Sequence, residues 1–251
     1  MEKKIELELT PGERTALTLA EPENLTKHLV ILCHGFMSSM ESSTNLALTE
    51  KLLSKGIATC RFDFFGHNKS SGEFQEMTLT RCLAQAEGIL RWSTQQGYRK
   101  HSLVGSSFGG LIAILLAARH PDLCALALKC PVSDYPKIWQ SRLGEGGMKH
   151  WQKSGVLSFA TFDGKARLEY SFYEDLLKVD TYRDAALIRS PTLIVHGDAD
   201  VDVPVDQSNH LFERLQAEKE IEIIPGAGHD FYKPDDFERM IARISDWLIK
   251  K

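Results

Sequence analysis

One stretch constrains this chain more than any other: Leu103-Val104-Gly105-Ser106-Ser107-Phe108-Gly109-Gly110-Leu111. An apolar run ends in Gly-x-Ser-x-Gly, and an apolar helical pattern follows without a spacer. Only a very tight strand-to-helix turn joins two such elements. Glycines flank the turn because a Cβ would clash there. The serine at its apex takes a strained conformation with its hydroxyl exposed at the C-terminal edge of a sheet. The helix N-terminus behind it offers free N–H groups where negative charge develops. Ser106 occupies the first variable position, beside the apex, so Ser107 is the candidate nucleophile. A bare Gly-x-Ser-x-Gly also occurs as a plain glycine-rich turn. The strand before it and the helix after it give this one its weight.

The rest of the chain supplies a matching scaffold. Ile5, Leu7 and Leu9 alternate, Pro11-Gly12 turns the chain, and Leu17 and Leu19 follow, which predicts an N-terminal antiparallel hairpin. Short apolar runs come next, at Leu29–Cys33, Ile57–Phe62, Ser102–Val104, Ala125–Lys129, Thr192–Val195 and Ile221–Ile224. Helical periods are expected at about Thr44–Lys55, Thr80–Gln96 and Ser107–His120, and from about Asp235 to the end. Strand, loop and helix in repetition imply an α/β fold, a mostly parallel sheet flanked by helices. Phe237, Met240, Ile241, Ile244, Trp247 and Leu248 fall at helical spacing and predict core packing. Residues 134 to 185 break the rhythm. They concentrate aromatic residues, and Asp163-Gly164 between Val156–Phe162 and Ala166–Tyr170 is a hairpin signal. We read one domain over residues 1–251 with a cap subdomain inserted at 134–185.

A serine hydroxyl is a poor nucleophile at neutral pH. It needs a base, and the base needs an orienting carboxylate. Two later loops offer both. His196-Gly197-Asp198-Ala199-Asp200-Val201-Asp202-Val203-Pro204 follows one strand, and Pro225-Gly226-Ala227-Gly228-His229-Asp230 follows the next. The order Ser, Asp, His along the chain is the one such sheets use.

With His34-Gly35-Phe36 and Asp63-Phe64-Phe65-Gly66-His67 after the first two parallel strands, these motifs resemble the α/β-hydrolases over nearly the full length. More narrowly, the chain is similar to small bacterial esterases of the cinnamoyl and feruloyl type. It departs at Asn68, where glycine is usual. The resemblance implies His229 as general base. Its Gly-x-x-Asp-x-x-Val-Pro pattern selects Asp200, leaving Asp198 and Asp202 as turn or solvated residues. It implies an oxyanion hole from the backbone N–H groups of Phe36 and Phe108. His34 becomes a loop support, while His67, His196 and His210 carry no role as base. Asp134, Tyr170 and Tyr173 are candidate substrate contacts, because cinnamoyl esterases bind phenolic groups from their caps.

The implied reaction is hydrolysis of a small-molecule carboxylic ester, aromatic or short-chain, through an acyl-enzyme, with no metal or organic cofactor. A thioesterase or an acylaminoacyl-peptidase-like hydrolase shares the same triad. A non-catalytic binding protein on this scaffold is the reading from another class. A net charge of −4 gives no general pull toward nucleic acid, and no apolar run of membrane-spanning length occurs. The cysteines are odd in number, and Cys33, Cys60, Cys124 and Cys130 lie in or beside apolar runs, so they read as buried thiols in a cytoplasmic protein. The N-terminus shows no signal-peptide pattern. Oligomeric state is not legible.

Overall fold

The computed structural model describes residues 1–24, 26–161 and 164–251. Asp163 of the expected Asp163-Gly164 turn lies outside the described residues.

The N-terminal hairpin forms as expected, β1 (Glu2–Thr10) antiparallel to β2 (Glu13–Ala20). Each apolar run that follows becomes a strand: β3 (His28–Cys33), β4 (Ala58–Phe62), β5 (Lys100–Ser106), β6 (Ala125–Lys129), β9 (Thr192–Gly197) and β10 (Lys219–Ile224). They join one sheet in the order β1-β2-β4-β3-β5-β6-β9-β10. From β4 to β10 every pairing is parallel, while β2 joins β4 antiparallel.

Burial explains the sequence pattern. Along β3, Leu29, Ile31 and Cys33 pack on one face, and Val30 and Leu32 pack on the other. Both faces are covered, so the strands read as continuous apolar runs rather than alternating ones. One face carries α2 (Leu79–Gln95) and α3 (Phe108–Arg119); the other carries α1 (Ser43–Leu53) and α8 (Pro234–Ile249). α3 is apolar on all sides and buried from Phe108 to Ala117, as a helix between sheet and further helices must be. The α8 stripe of Met240, Ile241, Ile244, Trp247 and Leu248 is buried. Each of these side chains stabilises the fold by roughly 1.5–3 kcal/mol.

Residues between β6 and β9 form α4 (Tyr135–Ser154), a separate hairpin of β7 (Val156–Thr161) and β8 (Gly164–Glu169), α5 (Tyr170–Leu176) and α6 (Thr181–Ala185). α4 is two helices joined at a kink. Gly144 takes φ 63°, ψ 178° there, a conformation outside the helix that glycine tolerates. Trp151 anchors the second half, fully buried with its Nε1 donating to the Leu168 carbonyl at 3.0 Å. α7 (Val205–Arg214) connects β9 to β10.

All five cysteines are free thiols; Cys33, Cys60, Cys82 and Cys130 are buried and Cys124 is half-buried. Burial raises the Cys33 thiol to about 12. Among the described residues, no helix is long and apolar enough to cross a membrane.

Candidate active site

The turn after β5 has the geometry its sequence demands. Ser107 sits at φ 54°, ψ −116°, a conformation that costs of order 1–3 kcal/mol and persists only where the surroundings enforce it. They do so here. The Ser107 N–H donates to the Lys129 carbonyl at 2.9 Å, and the Ser107 carbonyl accepts from Gly110 N–H at 2.9 Å and Val132 N–H at 3.1 Å. A Cβ on Gly105 would lie 2.4 Å from the Gly109 carbonyl oxygen, and one on Gly109 would lie 2.2 Å from that of Cys33. Side chains are therefore excluded on both flanks of the serine. Ser107 is half-exposed, whereas Ser106 is buried.

The two acid–base loops are clamped together. His229 Nδ1 lies 2.6 Å from Asp200 Oδ2. Asp200 Oδ1 accepts from the N–H groups of Asp202 and Val203, each at 2.9 Å. The second carboxylate oxygen also meets His196 Nε2 at 3.2 Å. Burial alone would raise the Asp200 carboxyl. The bonds from His196, His229 and Val203 outweigh it and hold the group far below the usual carboxylate range. A carboxylate at Nδ1 keeps the proton there and leaves Nε2 free to accept one. The neighbouring aspartates do other work. Asp198 accepts from Gly226 N–H at 2.6 Å and ties the two loops, and Asp202 pairs with Arg142 at 2.9 Å. The donor atoms of Cys130, Asp200 and His229 lie within 4.8 Å of one another. Two of them already share a short hydrogen bond, and burial pushes the Cys130 thiol up, so the trio suits a hydrogen-bonded cluster better than a metal.

The loop after β3 is fixed by buried imidazoles. His34 donates from Nδ1 to the Gly35 carbonyl at 2.8 Å and accepts the Phe64 N–H on Nε2 at 3.1 Å. Burial lowers its pKa to about 3, so it is neutral. His67 donates to the Phe65 carbonyl at 3.0 Å and accepts the Met37 N–H at 3.3 Å. Asp63 accepts the Met40 N–H at 2.8 Å. Asn68, the departure from the family pattern, has φ 42°. That is the region glycine enters freely and asparagine tolerates, and its Nδ2 donates to the Ser38 carbonyl at 2.8 Å.

Ser107, His229 and Phe36 line one cavity of about 610 Å³, together with residues of the α1 N-terminus and of the loop before α8. The rings of Phe36 and Phe108 pack against each other with centres 6.3 Å apart. They join an aromatic cluster in which Phe36 meets Tyr135, Trp139, Phe159 and Phe172 with ring centres 5.8–6.4 Å apart.

The three expected substrate contacts are not at this cavity. Asp134 caps α4 by accepting the Lys137 N–H at 3.1 Å, and lines a separate cavity of about 360 Å³ with Arg142, Tyr182 and His210. Tyr170 and Tyr173 pack on Trp151 with ring centres at 5.5 and 5.8 Å, and the Tyr173 hydroxyl accepts from Gln140 at 2.8 Å. No described residue from 134 to 185 is among those lining the Ser107 cavity. Sequence reasoning weighed His196 only as a base and passed over Lys129; the structure places His196 against Asp200 and Lys129 at the Ser107 cavity. Lys129 left a signal: a charged residue closing an otherwise apolar strand.

The sequence profile of the alpha/beta hydrolase family matches residues 30–243. A mitochondrial palmitoyl-protein thioesterase of Homo sapiens is 24% identical over 226 residues, covering 88% of this chain and 73% of that protein. A thermostable monoacylglycerol lipase of Bacillus sp. strain H-257 is 26% identical over 224 residues, covering 84% of this chain and 88% of the lipase. Among solved structures, Est1E of Butyrivibrio proteoclasticus with ferulic acid bound superposes with a TM-score of 0.85. It is 24% identical with 98% of each chain covered, and at that identity the likeness is one of fold.

Proposed function

The chain belongs to the alpha/beta hydrolase family, and from that premise we propose that it is a serine hydrolase of carboxylic esters, with Ser107 as nucleophile, His229 as general base and Asp200 as the orienting acid. The observation that carries the proposal is one juxtaposition. A strained Ser107 shares a cavity with a histidine whose Nδ1 is held at 2.6 Å by a buried carboxylate.

In the proposed reaction His229 Nε2 takes the Ser107 proton as Oγ attacks the ester carbonyl. The oxyanion rests on the N–H groups of Phe36 and Phe108, where each donor is worth about 3 kcal/mol of barrier. His229 then protonates the leaving alcohol, activates water and releases the acid. The Asp200 carboxylate stabilises the imidazolium without taking its proton. The same steps act on thioesters. The likeness to a palmitoyl-protein thioesterase is the reason to test them. Residues 134–185 act in this reading as an inserted cap. Their aromatic cluster backs Phe36 and Phe108 rather than walling the open cavity.

The test is labelling with a fluorophosphonate, with the adduct located by peptide mass spectrometry. Labelling of Ser107, lost in Ser107→Ala and kept in Ser106→Ala, is the expected result. An adduct elsewhere, or none, rejects the assignment. A panel of acetyl, butyryl and cinnamoyl esters and thioesters then ranks the acyl groups.

A further inference from the structure

Lys129 ends β6, a strand whose Ala125 and Ala127 face α1 and α8 while Leu126 and Leu128 face α2 and α3. Alternation turns the Lys129 side chain toward α1 and α8. The residue is 6% exposed and lines the Ser107 cavity, its Nζ 5.5 Å from the centre of the Phe231 ring. Among the described residues that Nζ makes no hydrogen bond or ion pair. Its neighbour across the sheet is Ser106, paired in register with it on β5. Ser106 lines the same cavity, and its buried Oγ has no hydrogen-bond partner.

An unpaired buried hydroxyl is costly, and an ammonium without a protein counter-charge has only solvent or a ligand to pair with. Here they stand side by side on one wall, next to the nucleophile. Across the cavity Ser43 and Thr44 belong to the first turn of α1, an 11-residue helix with no acidic residue in that turn. Two carboxylates are near. Asp200 is taken up by its two histidines and two N–H groups. Asp230 is exposed at the rim, held by the Tyr232 hydroxyl at 2.8 Å. This wall of the cavity thus carries a lysine without an ion-pair partner and a hydroxyl without a hydrogen-bond partner.

We propose that Lys129 and Ser106 bind a carboxylate on the substrate's acyl group, so that the preferred ester is a half-ester of a short dicarboxylic acid. The inference deepens the serine-hydrolase reading and rests on it. Length follows from backbone spacing. Ser106 is one residue from Ser107, and Lys129 is one strand from Ser106. A carboxylate held beside Ser106 is then one residue spacing from Ser107, which we take as ~4–6 Å from the carbonyl it attacks. Two or three methylenes span that gap, as in a succinyl or glutaryl group.

The experiment compares monoethyl succinate with ethyl 4-methylpentanoate, which replaces the carboxylate by an isopropyl group of the same shape. Wild type should favour the succinate half-ester by about tenfold or more in kcat/KM. Lys129→Met keeps the stem on Phe231, and should lower that ratio roughly ten- to hundredfold, chiefly through KM. Lys129→Arg restores the charge and should recover most of the ratio, which a merely structural lysine would not require. A wild-type ratio of one or below, or an equal loss on both esters in Lys129→Met, overturns the proposal. Binding of monoethyl succinate to Ser107→Ala, followed by ligand-observed NMR, needs no turnover. It should saturate, and should disappear when Lys129→Met is added; binding that survives overturns the proposal. If neither ester is cleaved and Ser107 takes no fluorophosphonate, the hydrolase reading fails, while the NMR arm still decides the carboxylate site.

Discussion

Asp200→Asn changes one oxygen into an NH₂ group, and the surrounding bonds dictate which one. Oδ1 accepts two backbone N–H groups, from Asp202 and Val203. An amide nitrogen there would face two donors, so the amide oxygen keeps that position. The NH₂ then falls where Oδ2 stood, against His229 Nδ1. A donor at that place forces the other tautomer, with the proton on Nε2 facing Ser107. The imidazole then cannot accept the serine proton. The same exchange in a triad lowers kcat by about 10⁴, equivalent to about 5 kcal/mol of barrier. The assay is p-nitrophenyl acetate hydrolysis, with a thermal melt to show that the variant is folded. Asp202→Asn is the comparator. Its ion pair with Arg142 is about half exposed and worth less than about 1 kcal/mol, so its rate should stay within about threefold of wild type. An Asp200→Asn rate within about tenfold of wild type would refute the tautomer argument.

Gly109→Ala would drive a Cβ to 2.2 Å from the Cys33 carbonyl oxygen and 2.4 Å from that of His34; a loss of about 3 kcal/mol or more in urea unfolding is expected, with activity falling too, and a wild-type melting curve would contradict it. Acid should destabilise the protein from about pH 6.5 downward. The folded His34 has its pKa lowered from 6.5 to about 3, so the unfolded chain binds the proton first, and stability present above 6.5 is lost as pH falls toward 3. The loss from this one group reaches about 5 kcal/mol over the window, and a urea midpoint flat between pH 6.5 and 4.5 would exclude it. Phe237→Ala, at the Ser107 cavity, should shift the ratio of butyryl to acetyl ester hydrolysis several-fold, whereas Tyr173→Phe should leave it in place. The reverse pattern in kcat/KM would move the acyl pocket under the 134–185 segment.

The parallel sheet was readable because its strands are buried on both faces, and a two-sided strand is a short apolar run in any context. The loops of Ser107 and Asp200 stood out because close backbone approach demands their glycines, as at Gly109 and Gly197, while in the His229 loop Gly226 answers a positive φ of 72°. α4 was not readable. Gly144, Gly146 and Gly147 interrupt any helical period, and the chain does bend at Gly144. The same limit applies to Asp134, Tyr170 and Tyr173. Composition predicts that aromatic residues gather, but only packing decides that Trp151 takes two of them. Lys129 shows the complementary gap. Strand alternation gives the face it points to, while the cavity at the end of its side chain depends on loops distant in the chain in both directions.

The aromatic cluster has a consequence for how such a chain can change. Phe36 and Phe108 bring their rings to Tyr135 and Phe172 of the 134–185 segment, while Phe36 lines the Ser107 cavity and Phe108 follows Ser107 in the chain. Two residues thus belong to two modules at once. A 134–185 segment of different sequence would need a matching ring pocket, or the backbone at Phe36 and Phe108 would shift with their side chains. Substitutions that reshape the cavity are therefore less disruptive on its α1 and α8 side, at Ser43, Thr44 and Phe237, than in that shared framework.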